Sequence, residues 1–184
     1  MGEPEAPPYS YNVPAPRNRM MYQTQQLEQQ MLNLVNRERA DPANNPETHG
    51  RALPLRWNET LAAVARAHSL DMVRQGYFAH EDLYGRSVVG RIEAAGLEWQ
   101  AAGENIAINS GIVRAEAAFM DEQRFVKNHR SNILSPDFTE IGIGIVYGPN
   151  GSVYITQDFY TRRAHRPARV EKSSGNSLAL PQNY

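Results

Sequence analysis

Two glutamates of this chain lie in sequence surroundings that predict a buried position. Glu104 stands in the stretch GENIAI, directly before an apolar run that is ready to enter a core. Glu122 follows Ala115 and Phe119 and precedes Val126 at spacings of four, three and four residues, which places it on an apolar face of a predicted helix. A glutamate is seldom buried unless another group pairs with its charge. Both carboxylates are therefore expected to face a partner, although for Glu122 a snorkelling side chain or an arginine partner stays an open alternative.

The five histidines differ in their surroundings, and two of them stand out. His80 and His129 each lie just past a predicted helix, in loop-like sequence where site residues tend to gather. His68 lies on the apolar stripe of a predicted helix and is interpreted as a core residue. His49 and His165 fall in a Pro/Asn-rich loop and in the C-terminal tail, where solvated side chains are expected.

Two inward glutamates and two loop histidines predict one shared polar site. Neutral imidazoles bind divalent cations such as zinc, and carboxylates behind the rings orient them from a second shell. Without a metal, each carboxylate would still stabilise a protonated imidazole. The chain has no compact ligand motif such as His-Glu-x-x-His, so the convergence of these residues depends on the fold.

Three amides accompany this predicted site. Asn105 and Asn132 flank the proposed site residues and are expected to hold their loops. Gln157 lies on the apolar face of a predicted strand. A core amide satisfied by the backbone is the preferred interpretation of Gln157, and a side chain that reaches the site is the alternative.

Composition places the chain among ordinary globular proteins. It has 184 residues, 41% of them apolar, and a formal net charge of −1, so nucleic acid is not an expected partner. It contains no cysteine, which excludes disulfides and thiolate metal sites. No apolar run approaches the roughly 18 residues of a membrane span. Residues 1–10 lack the basic start and apolar run of a signal peptide, and a leader removed from the chain is expected.

The sequence divides into a core and two tails. Residues 1–21 carry five prolines and few large aliphatic side chains, which predicts an extended or disordered arm. Residues 163–184 are basic and then rich in Ser, Gly and Asn, which predicts a mobile or loosely docked tail. Residues 22–162 remain as one folded domain, long enough to bury an adequate core.

Four helices and a closing hairpin are predicted within this core. The helices are expected from about Leu27 to the Asp41-Pro42 stop, from a cap at Asn58 or Thr60 to Gly76, over 87–95 and over 112–127. Residues 140–148 and 151–160 have strand-like alternation, and GPNG at 148–151 joins them as a hairpin. A third strand is expected around 97–106. Helices followed by an antiparallel hairpin indicate an α+β fold.

The ordered words of this core resemble one protein family. They are LVNRERA, LRWNETLAAVARAHSLDM, GYFAH, GENIA, HRSNIL and IGIGIVYG followed by VYITQDF, and the likeness covers about residues 27–160. The set resembles the CAP superfamily, which comprises cysteine-rich secretory proteins, antigen 5 and plant pathogenesis-related proteins. The likeness is greatest to the shorter, cysteine-free bacterial members, often called SCP-like domains.

The resemblance implies a fold, a site and a location. It implies a three-layer α-β-α sandwich with a small, mostly antiparallel sheet between helices. By matching words, His80, Glu104, Glu122 and His129 would line a central cleft, and His80 and His129 would hold a divalent metal, most often zinc. Glu104 would face the cleft and orient a histidine. The family also implies a secreted, periplasmic or cell-envelope protein.

Three functions remain open at this point. The first and preferred one is a binding module for a small-molecule, lipid or protein ligand. The second is a metal-dependent hydrolase of peptides, esters or glycans, with a metal-bound water and with Glu104 or Glu122 as general base. Two imidazoles are a thin shell for that chemistry, because catalytic zinc usually has three protein ligands. The third is a buried polar network that only stabilises the core.

Overall fold

Six α-helices and four β-strands make up residues 16–164, the part of the chain that this computed structural model describes. The helices are α1 (Pro16–Ala40), α2 (Asn45–Thr48), α3 (Glu59–Gln75), α4 (Val88–Ala94), α5 (Ile112–Met120) and α6 (His129–Leu134). The strands are β1 (Arg56–Trp57), β2 (Trp99–Asn109), β3 (Glu140–Tyr147) and β4 (Val153–Arg162). Short 3-10 turns cover Pro42–Asn44 and Pro149–Gly151.

Local signals in the sequence begin and end the first long helices. Helix α1 stops at Ala40, directly before the predicted Asp41-Pro42 break. Helix α3 begins after Asn58, whose side chain accepts a hydrogen bond from the backbone N–H of Leu61 at 3.0 Å. It ends at Gly76, which adopts the left-handed conformation with φ of 70°. The predictions for these two helix ends and for the Asn58 cap are confirmed.

The start of α1 differs from the prediction. Residues 16–21 were expected to belong to an extended arm, and the structure has them as the first turns of α1. Pro16 is compatible with that place, because the first N–H groups of a helix have no partner within the helix and proline lacks only that group. Residues 1–15 and 165–184, including His165, lie outside the described residues. The division into arm, core and tail stays a prediction.

The predicted helix over 112–127 is wrong in its second half. Helix α5 ends at Met120, and Phe125 has a positive φ of 63°, which a right-handed helix cannot contain. The Asn128 side chain accepts from the N–H of Ser131 at 3.0 Å and donates to the carbonyl of Gln123 at 2.8 Å. These bonds cap a new helix, α6, and hold the preceding turn, so local side-chain bonds compete with helix continuation.

The sheet has four strands in the order β1-β3-β4-β2. Strand β1 runs parallel to β3, and the other two pairs are antiparallel. The predicted hairpin of β3 and β4 and the third strand, β2, are confirmed. The two-residue strand β1 was not predicted, because its pairing with Glu140 and Ile141 is a long-range contact that leaves no period in the sequence.

Helices cover both faces of the sheet. Paired residues on neighbouring strands point to the same side. The register therefore places Ile143, Gln157 and Asn105 on one face and Gly142, Asp158 and Glu104 on the other. The first face packs against α1, α5 and α6 in the main hydrophobic core. The second packs against α3 and α4. The α+β fold and its layered arrangement of helices about a mostly antiparallel sheet are confirmed.

Two glycines of β3 allow α3 to lie directly on the sheet. A Cβ on Gly142 would lie 2.2 Å from the backbone nitrogen of Ala62, and a Cβ on Gly144 would lie 2.2 Å from the carbonyl carbon of Ala65. Any side chain here would meet helix backbone, which cannot rotate away as a side chain can. The two glycines of the IGIGIV stretch thus allow the short distance between α3 and β3.

Replacing Gly142 by alanine is expected to lower the free energy of unfolding by about 2 kcal/mol, because α3 must move off the sheet. Chemical denaturation monitored by circular dichroism measures this change. Gly90→Ala is the matched control, since a Cβ at Gly90 in α4 would have its nearest neighbour 3.8 Å away. That control is expected to gain up to about 1 kcal/mol from better helix propensity. Equal stability of Gly142→Ala and the wild type would contradict the close approach.

Candidate functional site

The candidate site lies along β2, the strand at one edge of the described sheet. Successive residues of β2 point to opposite helical layers, so Glu104 faces the layer of α3 and α4 while Asn105 faces the layer of α1, α5 and α6. At a sheet edge, groups from the two layers can meet without passing through the sheet. Residues from both sides come together here.

Glu104 is buried beside a histidine and an arginine that bind its carboxylate. Its side chain is 2% exposed. Its Oε1 lies 2.8 Å from Nδ1 of His80, and its Oε2 accepts a hydrogen bond from the guanidinium of Arg91. The predicted contact with a histidine is present. The arginine that neutralises the buried carboxylate was not predicted.

Arg91 joins Glu104 to the loop that carries His80. Besides its bond to Glu104, its Nη1 donates to the backbone carbonyls of His80 and Arg86, each at 2.9 Å. A sequence signal for this residue exists. Val88 is apolar and lies three residues before Arg91, and this spacing places the two side chains on one face of the predicted helix.

His80 presents a largely accessible ring to the site. Its side chain is 56% exposed, and only Nδ1 is engaged, by Glu104. The hydrogen bond to Glu104 and the charge of that carboxylate raise the pKa of His80, against the opposing effects of burial and Arg91. Among residues 16–164, Nε2 of His80 makes no hydrogen bond to protein and is available to a ligand.

His129 is held by Glu122 in a similar way. Nδ1 of His129 lies 2.6 Å from Oε1 of Glu122, and the backbone N–H of His129 donates to Oε2 at 2.9 Å. The ring packs on Phe119 with 4.8 Å between centroids. The sequence predicts a loop position for His129. The structure instead has His129 as the first residue of α6.

The prediction that Glu122 faces a histidine is confirmed, but the helix-face argument behind it is wrong. Glu122 lies in the turn after α5, two residues beyond the end of the helix at Met120. The helix-face argument is therefore void, and Val126, which it placed inward, is 41% exposed. Glu122 instead reaches forward to the N–H at the start of α6, where a carboxylate is favoured by the helix dipole.

The two halves of the site face each other. The ring centroids of His80 and His129 are 6.4 Å apart. The structure thus brings all four predicted residues, His80, Glu104, Glu122 and His129, into one cluster, which is called the histidine site below. Their function as ligand, metal or catalytic residues stays a prediction.

Two further titratable side chains are buried beside Glu104. Asp158 lies directly opposite it on β4 and is 0% exposed, and neither of its carboxyl oxygens has a hydrogen-bond partner among the described residues. Burial and the nearby charge of Glu104 raise the pKa of Asp158 well above its ordinary value. His68, predicted as a core residue, is buried and donates from Nε2 to the carbonyl of Ala79 at 3.0 Å. Burial lowers the pKa of His68.

A buried glutamate on α5 was not predicted, because glutamate is an ordinary residue on the exposed face of a helix. Glu116 is 3% exposed, and burial raises its pKa to about 7. Its Oε2 accepts from Nε2 of Gln157 at 3.1 Å, and Oε1 of Gln157 accepts from Asn105 at 2.9 Å. Gln157 is therefore a core amide satisfied by side chains, and not by the backbone as expected.

The donor set of the histidine site fits a divalent cation only in part. Each ring has Nδ1 tied to a glutamate, which is the second-shell arrangement of many metal-bound histidines, and Nε2 of His80 and of His129 remain as ligands. Between residues 16 and 164, no group of three or more His, Cys, Asp or Glu is placed to hold a metal ion. The residues suit a cation bound by two imidazoles with water or another ligand completing its shell. They do not suit a closed structural zinc site, which takes four protein ligands.

Comparison with known proteins is consistent with this architecture. Among solved structures, an extracellular protein with an SCP domain from Bacillus anthracis str. Ames has a TM-score of 0.65 and 28% identity, with 82% of this chain and 45% of that chain covered. An outer surface protein from Borrelia burgdorferi has a TM-score of 0.64 and 16% identity, with 76% and 96% covered. The second likeness, at that identity, shows the fold alone.

Two curated proteins and a family model identify the relatives in sequence. YkwD of Bacillus subtilis (strain 168) is 38% identical over 107 residues, which are 58% of this chain and 39% of that protein. The membrane protein YlbC of the same strain is 34% identical over 137 residues, 73% of this chain and 34% of that protein. The chain thus spans less than half the length of either. The model of the cysteine-rich secretory protein family, CAP, matches residues 32–159. Since that match covers most of the chain, the protein belongs to the CAP family.

Proposed function

We propose that the histidine site binds a ligand through the Nε2 atoms of His80 and His129. The observation that carries this proposal is the shared orientation of the two rings. Each has Nδ1 fixed by a glutamate, and the rings lie 6.4 Å apart with Nε2 uncommitted among the described residues. Two oriented imidazoles at a sheet edge are a recognition site that is built before any ligand arrives.

A divalent cation of the zinc type is the ligand that this donor set supports best. Neutral imidazole is a preferred zinc ligand, and a carboxylate behind the ring raises its basicity. Because Glu104 raises the pKa of His80, protons compete with the cation at mildly acidic pH, and affinity is expected to fall there. A bound cation would present open coordination positions to a further small-molecule, lipid or protein ligand.

The state of the two glutamates favours binding over hydrolysis. A general base needs an oxygen within reach of the proton it removes. Each oxygen of Glu104 already binds a partner, His80 or Arg91, and each oxygen of Glu122 binds His129. These bonds suit carboxylates that orient histidines better than carboxylates that activate water.

A position outside the cytoplasm is part of this proposal. One similar structure is titled an extracellular protein and another an outer surface protein. None of the helices within residues 16–164 is long and apolar enough to cross a membrane. We infer a secreted or envelope module, which fluorescence microscopy and fractionation of cells that produce the tagged full-length protein would test.

Zinc binding measured by isothermal calorimetry near neutral pH tests the proposed site. The wild type is expected to show saturable binding, and the double variant His80→Ala/His129→Ala is expected to show none, because both available imidazoles are gone. His49→Ala is the matched control, since His49 is an exposed histidine outside the site and its loss leaves both ligands in place.

Absence of binding by the folded wild type would remove the cation from the proposal. Binding that survives in the double variant would place the cation elsewhere. If the loaded wild type turns over peptides, esters or glycans and His129→Ala does not, the hydrolase alternative replaces the binding module.

A further inference from the structure

A chain of three amide side chains and one carboxyl group, all buried except the half-buried Asn132, runs behind the histidine site from α6 through β2 and β4 to α5. Its members are Asn132, Asn105, Gln157 and Glu116. Asn105 and Gln157 are 0% exposed, and Glu116 is 3% exposed. Buried polar groups cost stability unless they are paired, so a run of this length in a core calls for a physical reason.

The bonds of this chain all point in one direction. Nδ2 of Asn132 donates to Oδ1 of Asn105 at 2.9 Å, Nδ2 of Asn105 donates to Oε1 of Gln157 at 2.9 Å, and Nε2 of Gln157 donates to Oε2 of Glu116 at 3.1 Å. The chain ends on a carboxyl group, which accepts that last bond. Each amide therefore has one orientation that satisfies its neighbours, and reversing one would set like atoms against each other.

The same amides bind the backbone of two site residues. Nδ2 of Asn105 also donates to the carbonyl of His129 at 3.1 Å, and Nδ2 of Asn132 also donates to the carbonyl of Glu104 at 3.2 Å. A carbonyl oxygen only accepts, so the amide nitrogens must face these two atoms. The orientation required at the site agrees with the orientation required by Glu116 at the far end.

These contacts cross between the two halves of the site. Asn105 belongs to the strand of Glu104 and holds His129, while Asn132 belongs to the helix of His129 and holds Glu104. Glu104 in turn binds His80. The two asparagine contacts therefore connect the backbone of His129 to the residue that holds the His80 ring. A rigid connection of this kind sets the separation of two rings that would share one ligand.

We propose that Asn105 and Asn132 are positioning residues of the histidine site, which fix His129 relative to Glu104 and thereby set the spacing of the two imidazoles. The expected effect on zinc affinity rests on the proposed function, whereas the expected effect on the position of His129 does not. Second-shell partners of metal-bound histidines typically change metal affinity by about 10- to 100-fold when they are removed.

Asn132→Ala tests the proposal with two independent readouts. Zinc affinity of this variant by calorimetry is expected to fall by about tenfold or more relative to the wild type. By NMR, the ring-proton resonances of His129 are expected to shift, because the ring lies 4.8 Å from Phe119 and any displacement changes the ring current that it experiences.

Asn36→Ala is the matched control for a lost asparagine. Asn36 makes two hydrogen bonds to the backbone of Leu55, at 2.7 and 3.1 Å, away from the site. Its replacement is expected to lower stability by a similar amount without moving the His129 resonances or the zinc affinity. If Asn132→Ala does not fold, Asn132→Asp retains the shape and removes the donating NH2 group.

The outcomes separate this inference from the proposed function. If the wild type does not bind zinc, the proposed cation site fails, and the His129 resonances alone decide whether Asn132 positions the ring. A folded Asn132 variant with wild-type His129 resonances overturns the inference. If the wild type binds zinc, and the Asn132 variant has shifted His129 resonances but the zinc affinity of the wild type, the inference is also overturned. The position of the ring would then not determine binding.

Discussion

Arg91→Met is expected to lower the free energy of unfolding by about 3–5 kcal/mol, because it leaves the charge of Glu104 buried without its arginine partner. The side chains of Arg91 and Glu104 are only 8% and 2% exposed. Methionine keeps much of the volume of arginine and removes the charge and the donors. The variant also loses the bonds to the carbonyls of His80 and Arg86, so the loop that carries His80 is expected to loosen.

A double-mutant cycle separates the ion pair from the loop contacts. In Arg91→Met/Glu104→Gln neither member of the ion pair carries a charge, and the loss is expected to be smaller than the sum of the two single losses. Arg56→Met is the control for a removed arginine, since Arg56 pairs with Glu140 at the surface with 76% of its side chain exposed, and such pairs contribute at most about 1 kcal/mol. Urea denaturation measures the free energy of unfolding of the two single variants, the double variant and the Arg56→Met control. A loss at Arg91 no greater than at Arg56 would show that Glu104 does not depend on this arginine.

Glu116→Gln is expected to change how stability depends on pH. In the unfolded chain, glutamate ionises above its ordinary pKa of 4.5, whereas burial keeps the proton on Glu116 of the folded protein up to a pKa of about 7. Between these two values the unfolded chain has released the proton and the folded protein has not. Stability contributed by this residue therefore falls as pH rises through that window and becomes constant above it.

The size of the effect follows from the width of the window. A rise from 4.5 to about 7 corresponds to about 3 kcal/mol. The stability of Glu116→Gln relative to the wild type is therefore expected to be about 3 kcal/mol more favourable near pH 8 than near pH 5. Glutamine has no proton to lose, and its amide oxygen can still accept from Gln157.

Thermal or urea unfolding of both proteins at several pH values measures this difference. Glu81→Gln is the control, because Glu81 is an exposed glutamate and its replacement removes the same charge from a solvated position. A stability difference between Glu116→Gln and the wild type that stays constant from about pH 5 to about pH 8 would mean that Glu116 is ionised throughout that range.

Periodicity in the sequence was a sound guide wherever one element buries one continuous face. The alternation in IGIGIV and VYITQDF predicted a hairpin, and the structure pairs these strands residue by residue. The prediction of a helix through residue 127 failed because the apolar spacing of Phe119, Glu122 and Val126 is compatible with a helix but does not require one. Local bonds of the Asn128 side chain end the pattern, and their strength is not visible in periodicity.

The sequence by itself predicted the class of the fold and, through its ordered motifs, the family and the four residues that the structure brings together in the histidine site. It could do so because strand alternation, helix caps and ordered motifs are local properties of the chain. Only the tertiary structure decided what surrounds Glu104: Arg91 from α4, His68 from α3 and the buried Asp158 from β4. Burial and pairing of charges depend on contacts between residues far apart in the chain, at distances of a few ångströms. No spacing along the sequence encodes those distances, which is why the arginine partner of the buried carboxylate became evident only from the folded protein.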